Sequence, residues 1–470
     1  MKRSPGNSTV IFLTVLLMTV YGVGVSYSAP KSSTKAITSF SIAGTAGIID
    51  EKIITVDLTN LPLFAGIDAL VASFKTDGKA VRVGSKNQVS GKTANDFAKP
   101  VLYTVTAADG STENYTVRAL VSKIASISGY SDTLIVGSDG SLWETGRNGD
   151  GQLGNGTTTS VSVPKQILEN GIAAVSAGYY HSLILKTDGS LWATGYNKLG
   201  QLGNGTTTSV STPVQILADG VASVSAGVNF SLVVKTDGSL WVAGANASGQ
   251  LGNGTTTNIS TPARIIENGV ASVSGGEDHC LIVKTDGSLW AMGSNGHGQL
   301  GTGTTMDSRI PVQIVASGVA SASAGRSHSL FVKSDGSLWG MGYNKFGQLG
   351  TGTTTDVSSP VQIFGNGVAS ASAGGDHSLI LKTDGSLWAT GYNKNGQIGN
   401  GTKDDVLVPT RVLASGVVAV SGGLVHSVIL KTDHSLWATG YNNNGELGNG
   451  SGSGVLTPVQ IRRPSLSKDD

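Results

Sequence analysis

A tryptophan recurs every 49 residues along most of this chain, as Trp143, Trp192, Trp241, Trp290, Trp339, Trp388 and Trp437, and these are all 7 of its tryptophans. Pro164, Pro213, Pro262, Pro311, Pro360, Pro409 and Pro458 keep the same step. A fixed period of this length means that one supersecondary unit is repeated and that each copy buries its apolar surface against the next. A typical copy reads VASASAGGDHSLILKTDGSLWATGYNKNGQIGNGTKDDVLVPTRVLASG. It divides into four strand-like runs: A (VASASAG), B (HSLILK), C (SLWATGYN) and D (PTRVL).

The junctions support that division. Between B and C an Asp-Gly pair stands where a tight hairpin needs a positive φ, which glycine supplies without strain. The seventh copy has Asp433-His434 there, a non-glycine at a demanding position. The proline opens run D, where a missing N–H does least harm to a sheet. Runs B and C are apolar on both alternations, as befits a sheet covered on both faces. Four-stranded sheets stacked side by side give an all-β fold, a seven-bladed β-propeller over residues 123–463. If each D run were to pair with the A run that follows it, the last strand would complete the first blade and close the ring. The 67 glycines fit many tight turns.

Before the repeats, residues 36–122 carry short β-branched and aromatic runs such as Ile53–Val56 and Val81–Val83. Val101–Thr106 and Asn114–Val117 alternate around Asp109-Gly110, a hairpin with one face buried. About seven such strands suggest an immunoglobulin-like β-sandwich. Residues 1–28 have the pattern of a signal peptide: Met1-Lys2-Arg3, an apolar stretch from Val10 to Val25, then small residues around Ser26 to Ser28. Residues 464–470 form a tail with no recognisable anchor. These segments predict export to the cell envelope or beyond, with no membrane insertion after cleavage. The one cysteine, Cys280, stands where other copies have Ser182, Ser231, Ser329, Ser378 or Ser427, so it is read as a small buried substitute.

The tetrapeptide GQLG, present as Gly151 to Gly154, returns in every copy with Ile398 and Glu446 as its only variants. With the HSL and DGSLWATG stretches it resembles the regulator of chromosome condensation repeat family, whose fold is a seven-bladed propeller. The ending TVTAADGSTENYTV of the preceding segment is similar to immunoglobulin-like or cadherin-like modules of bacterial surface and secreted proteins.

Residues present in every copy are most simply explained by folding, so function is sought in the deviations. The tryptophans read as packing groups. The histidines His181, His279, His328, His377 and His426 open run B in five copies, with Asp132 and Phe230 in the other two. Spread one per blade, they do not form a metal site, and each is read as hydrogen-bonded to the backbone of a neighbouring blade at a half-buried position. The Asn-Gly-Thr-Thr stretches are read as turns. No catalytic constellation, cofactor or metal is expected. A formal net charge of +1 with 13% charged residues gives no field for nucleic acid.

Alternation of the strands places the A–B and C–D connections on one side of the disc. The B–C side is nearly constant, while the A–B pairs differ in every copy: Tyr130-Ser131, Tyr179-Tyr180, Val228-Asn229, Glu277-Asp278, Arg326-Ser327, Gly375-Asp376 and Leu424-Val425. The C–D loops vary too. A constant scaffold with variable loops on one side is how a binding surface is built. Tyr130, Tyr179, Tyr180 and Phe230 put aromatics on the first three copies, and Glu277, Asp278, Asp307, Asp356, Asp376, Asp404 and Asp405 put acids on the fourth to sixth; Arg326 also belongs to the candidate face. The expected function is therefore an exported, non-enzymatic, monomeric module that binds a protein. Two alternatives rest on resemblance. One is nucleotide exchange on a small GTPase, which the even spacing disfavours because no copy has room for an inserted wedge. The other is inhibition of a secreted enzyme.

Overall fold

The computed structural model describes residues 31–58, 69–97, 100–120 and 124–461. The expected leader at 1–28 and tail at 464–470 lie outside the described residues.

The N-terminal segment contains β1 (Ile37–Ile42), β2 (Thr45–Asp50), β3 (Ile53–Asp57), β4 (Leu70–Thr76), β5 (Ala80–Val83), β6 (Lys86–Asn87), β7 (Ala94–Asn95), β8 (Val101–Thr106) and β9 (Thr112–Leu120). All nine are hydrogen-bonded in one continuous order, β6-β5-β8-β9-β3-β2-β1-β4-β7. The alternation read around Asp109-Gly110 is the β8–β9 hairpin, paired from Val101↔Val117 to Thr106↔Thr112. Where two separate sheets are the simplest sandwich, here β3 lies parallel to β9 and β1 pairs with both β2 and β4. The sheet therefore runs on without a break and curls around a core of Phe40, Ile54, Val56, Tyr103 and Val117, a shape compatible with an immunoglobulin-like sandwich. Tyr103 meets Phe40 edge-on at 5.3 Å and donates no charge to this core, since burial pushes its phenol up to about 12.

The remainder is a seven-bladed propeller. The first blade comprises β10 (Ile124–Gly129), β11 (Asp132–Gly137), β12 (Leu142–Gly146) and β13 (Val161–Leu168), in that order across the sheet, and the other six repeat the pattern. Strand D pairs with strand C of its own copy, as in Trp192↔Gln215 and Trp437↔Gln460. Each blade is thus one contiguous repeat, and the strand exchange considered above as a means of closure does not occur. The reason lies in the C–D loop. Asn148 is fully buried, and its Nδ2 donates to Asn155 Oδ1 and to the carbonyls of Thr157 and Thr159 while its Oδ1 accepts the Leu153 N–H. This clamp, repeated by Asn197, Asn246, Asn295, Asn344, Asn393 and Asn442, turns the chain back so that D must return beside C.

Closure comes instead from hydrogen bonds between blades. On the inside, the last residue of each strand A donates its N–H to a serine on the preceding strand A, at 2.9 to 3.0 Å; Gly129 to Ser421 closes the circle as Ala177 to Ser128 opens it. On the outside, a glycine of each C–D loop donates to a carbonyl of the next strand D, from Gly156 to Ser211 O through Gly450 to Ser162 O, both at 2.8 Å. Seven equivalent bonds at each radius leave no free sheet edge unsupported at the seam.

The tryptophans are packing groups with an added contact. Each indole Nε1 donates to the serine two residues before it, and in blades two to seven a lysine ammonium lies over the ring, from 3.8 Å for Lys431 on Trp437 to 5.7 Å for Lys382 on Trp388. Blade one has Gly137 in the lysine's place. The Asn-Gly-Thr-Thr stretches are turns, with Asn155 Oδ1 accepting the Thr157 N–H at 3.0 Å.

At the seventh B–C turn the hairpin is kept despite the missing glycine. His434 adopts φ 62° and its N–H still donates to Lys431 O at 2.9 Å. A side chain in this region is strained, so His434→Gly is expected to stabilise the fold by ~0.5–1 kcal/mol after the entropy of glycine in the unfolded chain is subtracted. The check is a raised denaturant midpoint with an unchanged slope.

Candidate functional site: the A–B face

Between the inner and outer bonds lies a third set, made by the residue that opens strand B. His181, His279, His328 and His377 each place Nε2 at 2.9 to 3.0 Å from the Oγ of a serine in the next blade, and His426 reaches Thr133 at 3.2 Å across the seam. Those hydroxyls donate onward to backbone carbonyls, for example Ser378 to Gln348 O at 2.7 Å. Each hydroxyl proton is therefore spent, so Nε2 carries the imidazole proton and donates, and Nδ1 is the bare nitrogen. Nδ1 is buried and has no partner in any of the five. Burial holds the rings neutral, at about 3 for His181, His328 and His377 and about 4 for His279 and His426. Fully buried rather than half-buried, each ring makes the expected bond to a neighbouring blade, but not to its backbone. It is made to a side chain.

The two exceptions now have a structural account. Phe230 takes the histidine's place at the junction of blades three and four, where the opposing serine is Cys280, and both are fully buried in one apolar cluster. An apolar pair has replaced a polar one. The thiol still donates to Gln250 O at 3.7 Å, and burial pushes it well above its ordinary range. Phe230 consequently does not reach the surface, which corrects its assignment to the exposed face. At the junction of blades one and two, Asp132 occupies the histidine's position and Ser182 the serine's, and neither the carboxyl oxygens nor the hydroxyl has a partner.

Above this layer the A–B loops converge on the axis. Tyr130, Tyr179, Tyr180, Val228, Glu277, Arg326 and Leu424 line a depression of about 290 Å³. One wall is aromatic and apolar: Tyr130 meets Tyr179 at 5.9 Å, and Tyr179 meets Tyr180 at 4.1 Å. The other is charged. Arg326 Nε donates to Glu277 Oε2 at 3.1 Å, and its guanidinium stands 3.6 Å from Asp376. The acidic side of the face is therefore bridged by a cation rather than uniformly negative. Burial, with Glu277 adding to it, raises the Asp376 carboxyl.

The other acids have scaffold duties. Asp278 accepts Gln250 Nε2 at 2.9 Å, and burial raises its carboxyl. Asp307, Asp356 and Asp405 accept the backbone N–H groups of Asn295, Asn344 and Asn393 at 2.7 to 3.0 Å, bracing the C–D loops, and Asp356 also bonds His297 Nδ1 at 2.7 Å. Asp404 contributes its backbone carbonyl to the same clamp. These four lie in the C–D loops and do not line the axial depression.

The sequence reading passed over a second arc of residues. Arg147 lies over Tyr179 and Tyr180, 5.1 and 4.9 Å from the ring centres, and pairs with Asp150 at 3.1 Å. It stands where other blades have Tyr196, Tyr343, Tyr392 and Tyr441. A further depression of about 370 Å³ at the seam of blades seven and one is lined by Arg147, Tyr441 and Glu446 as well as by Tyr130 and Tyr179. Glu446, the one departure from Gln at its position, accepts both the N–H and the Nδ2 of Asn444, and burial raises its carboxyl. The available signal was the irregularity itself: Tyr at this step in only four of seven copies. Among the described residues no three His, Cys, Asp or Glu side chains are grouped to hold a metal ion.

The fold and this face define a repeat propeller whose seven blades share one scaffold and differ at the axial loops. The chain belongs to the RCC1-like domain family, which residues 168–469 match; residues 139–185 also match the regulator of chromosome condensation (RCC1) repeat. Residues 37–119 match the family described as SGBP, N-terminal. Among solved structures, human WBSCR16 is similar at 24% identity and TM-score 0.62, over 68% of this chain and 93% of that one. Yeast RCC1 (Prp20) bound to Kap60 is similar at 21% and 0.62, over 73% and 86%, and Prp20p from Saccharomyces cerevisiae, in a structure reported with its binding properties to Gsp1p and histones, at 22% and 0.62, over 73% and 88%. These likenesses support the propeller fold. No curated protein matches the chain.

Proposed function

We propose that the chain is an exported, non-enzymatic interaction module that presents the A–B face of its propeller to a protein partner. The observation that carries this reading is the contrast between the two sides of the disc. On the B–C side the same serine, tryptophan and lysine contacts recur from blade to blade. On the other side unlike residues from six blades meet around one depression with an aromatic wall and a charged wall. Aromatic and arginine side chains are the usual anchors of protein interfaces. A protein partner is in keeping with the yeast propeller solved with Kap60. The non-enzymatic part is supported by the duties found for the repeated polar groups, since the buried histidines and most face acids are spent on blade contacts and loop braces. Export rests on the leader pattern, and the N-terminal segment is read as an immunoglobulin-like or cadherin-like spacer or second binding unit.

The test starts from the mature chain, immobilised to capture partners, followed by direct binding measurements on whichever protein is recovered. Replacing the A–B pairs of blades one to four with the Gly-Asp pair of blade six is expected to weaken binding roughly 100-fold or more, because the central anchors are removed. Unchanged affinity would show that the partner uses another surface.

A further inference from the structure

The axial depression and the ion-paired group behind its charged wall hold two polar atoms that the fold leaves unused. Tyr130 is 8% exposed, lines the depression, and its hydroxyl has no hydrogen-bond partner. Asp376 is not itself among the lining residues but adjoins one of them: its Oδ2 faces Arg326, and its Oδ1 is buried and unbonded. A buried polar group without a partner is costly, so such groups in a surface depression mark where a ligand completes the structure.

What they lack is specific. Two carboxylates, Glu277 and Asp376, share the single guanidinium of Arg326, which leaves the charged wall one negative charge in excess. A carboxylate oxygen accepts only, and a phenol beside a carboxylate is best matched by a donor that also carries positive charge. The opposite wall is formed by Tyr179 and Tyr180, rings that already hold one cation, the Arg147 guanidinium at 5.1 and 4.9 Å, and so favour positive charge. The volume, about 290 Å³, is that of a slot for one long side chain rather than for a folded element.

We propose that this depression receives one basic side chain, lysine or arginine, from the protein partner, its stem against the tyrosine wall and its charged end between Glu277, Asp376 and the Tyr130 hydroxyl. The assignment rests on reading the A–B face as the protein-binding surface.

It can be tested without the partner. Capped pentapeptides with a central lysine, arginine, norleucine or glutamate between glycines are titrated into the mature chain, with tyrosine-ring resonances as the readout. Saturable shifts of Tyr130, Tyr179 and Tyr180, in the millimolar range, are expected for lysine or arginine alone. Glu277→Gln with Asp376→Asn is expected to weaken that binding by about tenfold, the effect of losing close charge pairs at a partly exposed site. Tyr130→Phe removes a buried, unbonded hydroxyl, so it should weaken binding while leaving the melting temperature in place or raising it. Equal shifts from norleucine or glutamate, or none from lysine and arginine, would overturn the proposal. If the peptides fail while loop replacement still abolishes partner binding, the face stands and the basic anchor does not; if the peptides bind while loop replacement leaves the partner's affinity intact, the slot is real and the partner docks elsewhere.

Discussion

Acidification below about pH 6 is expected to unfold the propeller cooperatively, because five buried imidazoles stay neutral in the fold and gain protons only when it opens. An unfolded histidine titrates near 6.5, while these are held at about 3 to about 4 in the fold. Their contribution is fully present above the unfolded value and is lost as the pH falls toward the folded one. Each supplies roughly 1.4 kcal/mol per pH unit, so five supply roughly 7 kcal/mol per pH unit on the acid limb. The buried carboxyls Asp132, Glu144 and Glu446 act in the opposite sense and offset part of this slope. The comparison that isolates the histidines is already written in the chain. His377→Phe with Ser427→Cys copies the Phe230 and Cys280 junction and is expected to flatten the acid limb by one proton. Stability measured by denaturant at several pH values provides the check. An unchanged slope would mean that His377 is protonated in the fold.

The second large effect lies in blade one. Asp132 and Glu144 are both fully buried on the side that faces blade two, and none of their four carboxyl oxygens has a partner. Asp132 stands in the histidine's place, and Glu144 where other blades have Ala193, Val242, Ala291, Gly340, Ala389 or Ala438. The residue across the ladder from Glu144 is Lys165, which is exposed. Desolvation raises both carboxyls well above their ordinary values, and Asp132 and Glu446 add repulsion to their neighbours. A carboxyl raised in this way is bound to its proton in the fold and ionised in the unfolded chain, so stability falls as pH rises above about 4. Asp132→His with Glu144→Ala rebuilds the junction found between other blades, with the new imidazole placed to bond Ser182. At pH 7 it is expected to stabilise the protein by about 2–6 kcal/mol, the cost of two buried unsatisfied polar groups, and its advantage should shrink toward pH 4. A gain that does not vary with pH would show that the two carboxyls are not the cause.

The blades were legible because each landmark has a local reason: proline at the start of strand D, Asp-Gly at the hairpin, Trp beside Leu in a doubly covered strand. Two kinds of feature were not legible. Phe230 looks like a surface aromatic when compared only with the histidines before it in strand B. Its burial follows from Cys280, 50 residues on in the neighbouring blade, and only the structure shows that these two positions touch. In the same way Asp307, Asp356 and Asp405 look like free charge until the backbone N–H groups they cap are seen. Tyr130, Tyr179, Tyr180, Glu277 and Arg326 stood out in the sequence only as variable residues of the A–B loops, and it is the structure that brings them together around one depression. The N-terminal strands were recognised, but their joining into one continuous sheet depends on the parallel β3–β9 pair, which no local pattern announces.

Because each blade is one unbroken repeat and the seam between blades seven and one is crossed by the same classes of backbone bond as every other junction, the ring has no backbone landmark that says where the chain must begin. The connection between any strand D and the next strand A could be opened, and Ile461 joined by a linker to Ile124, without dividing a sheet. Circular permutants at the seven positions should therefore differ little in their folded structure, and any differences in how fast they assemble would report the order in which the blades form.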